Sequence, residues 1–346
     1  MKKKYPNLLD TVKAFFGKVK KKYPNLLDTV KAFLGKVKKI YPYLYILPAF
    51  IIILVFRLIP ITLSFIISFF EWSVGGAGDF IGLNNYFAIL HDREFWKSML
   101  NTFYLVIGIV PITLILSMIF ATMLNGIEKL RGFFRTVYYI PSVTSMVAIS
   151  IVWKIIFNQQ SGLANYFLKK IGLNPLGWLA ESRGIFELFF GQFGIDVPFF
   201  LAGPSLALFS IILVSIWRSL GYNTILYLAG MQNIPNVYYE AAEIDGASKI
   251  KQFFKVTVPL ISPTTYYVLM MTTITTFQVF SQVYLMTGPP IGGPLGTTKV
   301  IVYYIYEKGF GESNNLSYAS AVALILFVII LSLTLVQKKI EKRVHY

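Results

Sequence analysis

The chain has 346 residues, of which 55% are hydrophobic and 14% charged, and its mean hydropathy is +0.62. Soluble domains carry about 25% charged residues, so this composition excludes an ordinary soluble protein and indicates an integral membrane protein. The absence of cysteine excludes disulfides, thiolate metal sites and a cysteine nucleophile. The net charge is +16, but residues 1–39 supply +10 of it. That tail lacks the Arg-interleaved stacking aromatics of a nucleic-acid binder, so no nucleic-acid partner is predicted.

The N-terminal segment, residues 1–42, contains a tandem repeat. KKKYPNLLDTVKAFFGKV at 2–19 recurs at 20–37 with one difference, Phe16 against Leu34. Within each copy the apolar residues fall on one helical face and the lysines elsewhere, which predicts a short, basic, amphipathic helix. Such a helix suits the surface of an anionic inner leaflet, with membrane lipid as its partner. A duplication with no function of its own is the alternative, and no small-residue cleavage site marks the segment as a signal peptide.

Residues 43–337 form the predicted membrane domain. A helical span needs about 20 apolar residues, and six stretches qualify: about 43–70, 98–125, 133–157, 204–231, 262–287 and 315–337. The segments assigned to the inside carry 22 Lys and Arg against 7 for those outside, which places both termini in the cytoplasm. Residues 338–346 are then a basic cytoplasmic tail. The predicted class is an all-α integral membrane protein, N-in and C-in.

Motifs for catalysis are missing from the sequence. No G-x-x-x-x-G-K-[ST] loop could cradle ATP, and no G-x-S-x-G elbow occurs. Histidine occurs twice, as His91 beside an outer carboxylate and His345 in the tail. The chain is therefore predicted to have no catalytic residues, no metal site and no cofactor of its own.

Three basic residues and several prolines lie inside the predicted spans. Lys154 is near an outer end and is interpreted as structural, whereas Arg57 and Arg218 lie deeper. A charge in the bilayer usually faces a cavity or a partner, so a place in a translocation path or subunit contact competes with simple local hydrogen bonding. Kinks are predicted at Pro60, Pro111 and Pro141.

The segment 235–263, PNVYYEAAEIDGASKIKQFFKVTVPLISP, is acidic and broken by glycine between two apolar stretches. Pro235 suits the first turn of a helix carrying Glu240 and Glu243. Gly246 is predicted to end this helix, since a left-handed residue is needed where the chain reverses.

A second short helix is predicted to follow, from Ala247 to Phe254. Asp245 would cap it, its lysines would face outward, and Ile250, Phe253 and Phe254 would pack. The product would be a compact helix–turn–helix suited to a groove on a partner. An ordinary amphipathic loop is the structural alternative.

This segment resembles the EAA loop of the permeases of binding-protein-dependent ABC importers, with the pattern E-A-A-x-x-D-G-A followed by prolines. FIGLNNYFAIL at 80–90, GFFRTVYYIPSV at 132–143 and SIWRSLGYNTILYLAGMQNIP at 215–235 also resemble the sugar-permease branch. Within it the chain is similar to the maltose and glycerol-3-phosphate type subunit, over about 43–340. TGPPIGGP at 287–294 departs from the usual T-G-G-G-P.

The resemblance implies the type I ABC importer permease fold and a coupling role for one helix. It implies a second, non-identical permease subunit, two ATPase subunits that bind the ATP, and an extracytoplasmic solute-binding protein. The location would be a bacterial or archaeal plasma membrane. Gly246 would both turn the chain and allow close approach of the ATPase. The residues that the resemblance assigns to ATPase coupling are Glu240, Ala241, Ala242, Asp245, Gly246 and Ala247.

The resemblance also places a substrate path midway along spans four and five. Hydroxyls and amides in a span need partners, and the hydroxyls of a sugar are suitable ones. The alternative is that these side chains bond back to their own helix or join spans together. The candidate residues are Leu220, Gly221, Asn223, Thr224, Thr272, Thr275, Thr276, Gln278, Val279 and Gln282.

The function predicted is thus the permease subunit of an ATP-driven importer of a sugar, oligosaccharide or glycerol-phosphate-like solute. A secondary transporter is the first alternative, but it would usually carry intramembrane carboxylates, and the predicted spans hold none. A membrane-bound enzyme would need a His, Asp and Glu constellation that is absent. A lipid-bound scaffold rests only on the N-terminal repeat.

Overall fold

A computed structural model gives the architecture of the chain. It describes residues 45–73, 76–127, 131–198, 201–288 and 291–341, together with positions 17, 18, 21 and 43. The predictions for the duplicated segment 1–42 and for most of the tail 338–346 lie outside the described residues. By its internal contacts the chain divides into Met1–Leu63 and Ser64–Tyr346.

The described residues are mainly helical, as predicted. The long first helix, α1 (Tyr45–Ile67), leads into a two-stranded antiparallel hairpin, β1 (Phe70–Ser73) and β2 (Gly76–Phe80), which was not predicted. The other helices are α2 (Asn84–His91), α3 (Arg93–Asn125), α4 (Arg131–Val143), α5 (Met146–Ile156), α6 (Leu163–Lys170), α7 (Ile185–Gly191), α8 (Leu206–Gln232), α9 (Val237–Ile244), α10 (Lys249–Gln252), α11 (Ser262–Phe277), α12 (Ser281–Met286), α13 (Ile301–Phe310) and α14 (Leu316–Glu341).

Four of these helices, α1, α3, α8 and α14, are long and apolar enough to cross a membrane, and the pair α4 and α5 makes a fifth if counted as one span. That pair is bent by 96° just after Pro141, so the predicted span 133–157 is not a straight helix. The predicted span 262–287 is likewise broken, because Phe280 has a non-helical backbone (φ −135°, ψ −57°). The count of six spans and their direction stay predictions.

The prolines act differently from one another. Pro141 precedes the bend between α4 and α5, and Pro60 follows a π-helical turn at Leu54–Leu58 that contains Arg57. Pro111 lies within the continuous helix α3. A proline removes one backbone donor, which neighbouring irregular turns or packed helices can compensate.

Helix α8 lies at the centre of the second unit. In its most apolar stretch 61% of the residues are buried, against 28% in α3 and 22% in α14, and it packs against α3, α4, α11 and α12. Small residues permit this packing. A Cβ on Gly108 of α3 would lie 3.0 Å from Ile212 of α8, and one on Gly221 of α8 would lie 1.8 Å from the carbonyl oxygen of Tyr138 in α4. Glycines at such positions let membrane helices approach closely.

Candidate functional site

The acidic segment forms a helix that ends as its sequence predicts. Helix α9 begins at Val237, two residues after Pro235, and Asp245 is its C-cap residue. Gly246 follows with φ +71°. Its N–H donates to Glu243 O at 3.0 Å, and the N–H of Ala247 donates to Ala242 O at 2.8 Å. This pair of hydrogen bonds is a Schellman motif, which favours glycine because only glycine adopts the left-handed conformation without a steric cost.

Space within the chain is not what requires a glycine at this position. A Cβ added to Gly246 would meet no atom of the chain within 4 Å, and the residue is exposed. The backbone conformation alone therefore selects glycine here. The predicted close approach of a partner subunit stays a prediction.

The second short helix differs from its prediction in where it starts and which residue caps it. Ser248 is the N-cap of α10, because its Oγ accepts a hydrogen bond from the N–H of Lys251 at 3.4 Å. Asp245 does not cap this helix, since its backbone still belongs to the end of α9. After Gln252 the chain continues through a π-helical turn, Phe253–Thr257, to Leu260 rather than stopping at Phe254.

Two polar contacts hold this helix–turn–helix in place, one from α9 to the π-helical turn that follows α10 and one from α10 to the turn that precedes it. The Tyr239 hydroxyl lies 3.0 Å from Thr257 Oγ1, and Gln252, which is 4% exposed, donates from Nε2 to Ala247 O at 3.1 Å. Ile250 and Phe254 each lie two residues from Gln252, about 200° around the helix. They are 73% and 63% exposed, so the prediction that they pack was wrong, and only Phe253 is half-buried.

The surface of this helix–turn–helix is both apolar and acidic. Ile244, in the last turn of α9, is 87% exposed. The carboxylates of Glu240, Glu243 and Asp245 make no ion pair with any other residue that the structure describes. An exposed apolar side chain among unpaired acids at the tip of a braced element is typical of a docking site.

A cavity of about 230 Å³ lies between helices α4, α8 and α11. It is called the polar cavity because seven of its nine lining side chains carry a hydroxyl or an amide, although most of its surface is apolar. Asn223 of α8 donates from Nδ2 to Thr272 Oγ1 of α11 at 3.3 Å across it. Three of the predicted path residues, Asn223, Thr272 and Thr275, are thus brought to one site. The full lining is Tyr139, Ser142, Arg218, Ser219, Tyr222, Asn223, Met271, Thr272 and Thr275.

The other predicted path residues do not line this cavity. Leu220 and Val279 pack with the apolar cluster around Ile211, and Gly221 is packed against Tyr138. Gln278 lines a separate, mainly apolar cavity against α14. Thr224 and Thr276 are buried and Gln282 is half-buried, and none of the three lines the polar cavity.

Some threonines of α11 bond to their own helix or join it to another, which is the alternative to a role in the substrate path. Thr275 Oγ1 donates back to Met271 O at 2.9 Å, and Thr273 Oγ1 donates to Leu269 O at 2.7 Å. Thr273 also accepts a hydrogen bond from Gln337 of α14 at 3.1 Å, which joins two helices. Hydroxyls of these types satisfy their own helix or its neighbour.

The contribution of α4 to the cavity was not predicted from the sequence. Ser142 Oγ donates to Arg218 O at 2.9 Å and accepts from the N–H of Tyr222 at 3.2 Å, which ties α4 to α8. No local signal marks Ser142 or Tyr139, whose position depends on contacts about 80 residues away. Arg218 did carry a signal, as a charge within a span.

A second polar cluster, the Asp92 tether, centres on Asp92 at the start of α3. Asp92 Oδ1 accepts from the N–H of Glu94 at 2.8 Å, and Oδ2 accepts from the hydroxyls of Tyr304 and, at 2.9 Å, Tyr318. Burial favours the protonated acid, but these hydrogen bonds and the charge of Lys308 together lower the pKa of Asp92. The tether joins α3 to α13 and α14.

Removing this carboxylate is expected to destabilise the protein at neutral pH by about 2 kcal/mol, the scale of hydrogen bonds to a charged group. Because the pKa of Asp92 is lowered by folding, its contribution is complete above the ordinary aspartate pKa of about 3.9 and is lost as the pH falls through the lowered value. Thermal unfolding of Asp92→Asn and wild type in detergent at pH 7 and at about pH 3 measures this. The difference should shrink in acid, whereas Asp196→Asn, which changes an exposed carboxylate, should change little at either pH. An undiminished difference in acid would contradict the assignment.

The fold identifies the class of protein to which this chain belongs. The architecture matches that of a solved bacterial ABC transporter involved in the import of the acidic polysaccharide alginate, with a TM-score of 0.73 and 22% identity, covering 91% of this chain and 100% of that one. The predicted permease fold is thereby confirmed.

The family follows from sequence. Residues 113–346 match the family described as binding-protein-dependent transport system inner membrane component, and the chain belongs to that family. It is 36% identical over 306 residues to the probable ABC transporter permease protein YurN of Bacillus subtilis (strain 168), covering 87% of this chain and 95% of the relative. It is 32% identical over 305 residues to the arabinooligosaccharides transport system permease protein AraP of the same organism, covering 86% and 88%. The resemblance found in the sequence is confirmed.

Proposed function

We propose that this chain is the transmembrane permease subunit of an ATP-driven importer for a sugar, oligosaccharide or glycerol-phosphate-like solute. It pairs with a second, non-identical permease, and both lie in a bacterial or archaeal plasma membrane. Two separate ATPase subunits bind the ATP, and an extracytoplasmic solute-binding protein delivers the solute. This chain has no catalytic site and binds no cofactor of its own. Membership of the family and the kinship with the AraP permease support this proposal.

The observation that carries the coupling role is the braced, exposed helix–turn–helix of α9 and α10. Tyr239 of α9 is hydrogen-bonded to Thr257, in the turn between α10 and α11, and Gln252 fixes α10 to the turn at Ala247. A force applied to α9 would therefore pass to the segment that leads into α11. Helix α11 supplies one wall of the polar cavity. Closure of the ATPases around α9 would therefore move the helices that surround the solute, which is alternating access driven from the cytoplasmic side.

The cavity has the chemistry that a polyhydroxylated solute needs. Most of its lining side chains carry a hydroxyl or an amide, the others are Arg218 and Met271, and none is a carboxylate. Each sugar hydroxyl can donate to one such group and accept from another. At about 230 Å³ it is smaller than the ~300–1,000 Å³ typical of ligand pockets, so one permease would cover part of the solute and the second permease the rest.

The test of the function is a reconstituted complex. The chain is co-expressed with the ATPase and second permease encoded beside it, purified in detergent, and assayed for ATP hydrolysis with candidate binding proteins loaded with different solutes. Stimulation by one loaded binding protein is the expected result and names the solute. The contrary result is a complex that assembles but whose rate of ATP hydrolysis is unchanged by every loaded binding protein, with uptake that depends on an ion gradient. The chain would then be a secondary transporter.

The docking surface yields its own prediction. Changing Ile244 to Asp should weaken binding of the ATPase by roughly 30-fold, equivalent to about 2 kcal/mol for the loss of one apolar anchor residue. The measurement is co-purification of the ATPase, followed by titration of the purified subunits. The matched control is Ile171→Asp, which changes a 70% exposed isoleucine after α6, in the predicted outer segment. Equal loss in both variants, or no loss with Ile244→Asp, would contradict docking through α9.

A further inference from the structure

Arg218 is a charged residue within the span α8, and it lines the polar cavity. Its Nε is buried and has no hydrogen-bond partner, and its guanidinium forms no ion pair with any described carboxylate. An arginine guanidinium keeps its proton in proteins. A lasting positive charge in a membrane-spanning helix therefore faces a polar cavity without a counter-charge, although such charges are normally paired.

The neighbours of Arg218 do not supply what is missing. Around it lie hydroxyl and amide groups, among them those of Ser142, Tyr222, Asn223 and Thr275. Ser142 Oγ is already engaged with the backbone of α8, and Asn223 with Thr272. A neutral sugar would find hydrogen-bonding partners in such a cavity without any arginine. The guanidinium adds a planar fork of donors that matches a carboxylate or a phosphate.

We propose that the cavity takes an anionic group of the solute, a carboxylate or phosphate carried on a carbohydrate or polyol, and that Arg218 is the specificity-determining residue that binds it. The inference rests on the proposed import function and narrows its substrate class. It also explains why a charge lies within α8: the solute itself supplies the counter-charge during its passage.

The first experiment uses the absence of cysteine in this chain. A single thiol is introduced by Thr275→Cys, at an exposed position on the cavity wall. The assembled importer is treated with two methanethiosulfonates, one bearing a sulfonate and one a trimethylammonium group, and labelling of this chain is followed by mass. The ratio of anionic to cationic labelling rates should fall roughly tenfold when Arg218→Gln is added, because one nearby charge attracts one reagent and repels the other.

Two further variants serve as controls. Arg218→Lys keeps the charge and should keep the ratio. Lys154→Gln removes a basic residue from the end of α5, outside this cavity, and should leave the ratio as it is. An unchanged ratio in Arg218→Gln overturns the proposal. That result would follow if a carboxylate of the second permease already neutralised Arg218 in the complex.

The second experiment identifies the anion. Protection of the Thr275→Cys thiol is measured with trigalacturonate, glycerol 3-phosphate and maltotriose at matched concentrations. Protection by trigalacturonate alone assigns a carboxylate, and protection by glycerol 3-phosphate alone a phosphate. Protection by either anion should disappear in Arg218→Gln. Equal protection by maltotriose, or none by either anion, overturns the proposal. Because ATPase stimulation by a loaded binding protein is measured separately, failure here leaves the importer function standing.

Discussion

Replacing Gly246 by valine is expected to abolish ATP-driven uptake, while the chain is still inserted and folded in the membrane. Gly246 has φ +71° and ends α9 through the Schellman hydrogen bonds of its own N–H and that of Ala247. A side-chain-bearing residue in this left-handed region costs about 1–2 kcal/mol, and β-branching makes the conformation still less accessible. The chain should leave this conformation and turn α9 away from the position in which Tyr239 contacts Thr257.

The matched control for this prediction is Gly246→Asn. Asparagine tolerates the left-handed conformation, and a side chain at this position meets no atom of the chain within 4 Å. Uptake into proteoliposomes and ATP hydrolysis are measured for both variants, with expression level and thermal stability as the check on folding. If the asparagine variant transports, the left-handed turn is the only constraint on this position. If asparagine folds but does not transport, the partner subunit needs the space. Wild-type uptake with valine would refute the coupling role of α9.

Changing Gly221 to alanine should destabilise the protein by about 3 kcal/mol, the upper part of the range for overpacking in a closely packed interior. Its Cβ would lie 1.8 Å from the carbonyl oxygen of Tyr138, and backbone on both sides cannot move aside as a flexible side chain can. The helices α4 and α8 would have to separate, which breaks the bridge made by Ser142 and deforms the cavity.

Gly132→Ala is the control within the same helix pair. Gly132 lies in α4, and a Cβ there meets nothing within 4 Å. Because Gly132 is the second residue of α4 and is exposed, alanine should change the free energy of unfolding by no more than about 0.5 kcal/mol. Thermal unfolding in detergent measures both variants. Equal stability of Gly221→Ala and wild type would show that α4 and α8 do not approach each other as closely as described, and Gly221 would return to its predicted place in the substrate path.

The two glycines show where prediction from sequence succeeds and where it stops. Gly246 was predicted to end a helix, and it does, because the steric demand for a positive φ is a property of one residue and its neighbours in the chain. Gly221 was predicted as a path residue, but its packing role depends on Tyr138, a residue of another helix far along the chain. Local sequence holds no information about which carbonyl will face it.

The threonines of α11 make the same distinction. The sequence predicted correctly that a hydroxyl-rich helix needs polar partners, yet it left open which hydroxyls face a cavity. Thr272 faces the cavity and meets Asn223, whereas Thr273, the next residue, bonds to its own helix and to Gln337. Rotation of the helix about its axis decides between them, and packing against α3, α8 and α14 sets that rotation.

Composition and local pattern determined the membrane class, the absence of catalytic motifs from the sequence, the helix end at Gly246 and the family. Each of these depends on hydropathy, on residue chemistry or on steric limits within a few residues. Tertiary structure decided the 96° bend between α4 and α5, the closure of the Asp92 tether through Tyr304, and the placement of Arg218 among hydroxyls from three helices. Asp92 and Tyr304 are 212 residues apart. Contacts over such distances form only when whole helices pack, so the side chains that surround the cavity are selected by the arrangement of the helices and not by the residues beside them in the chain.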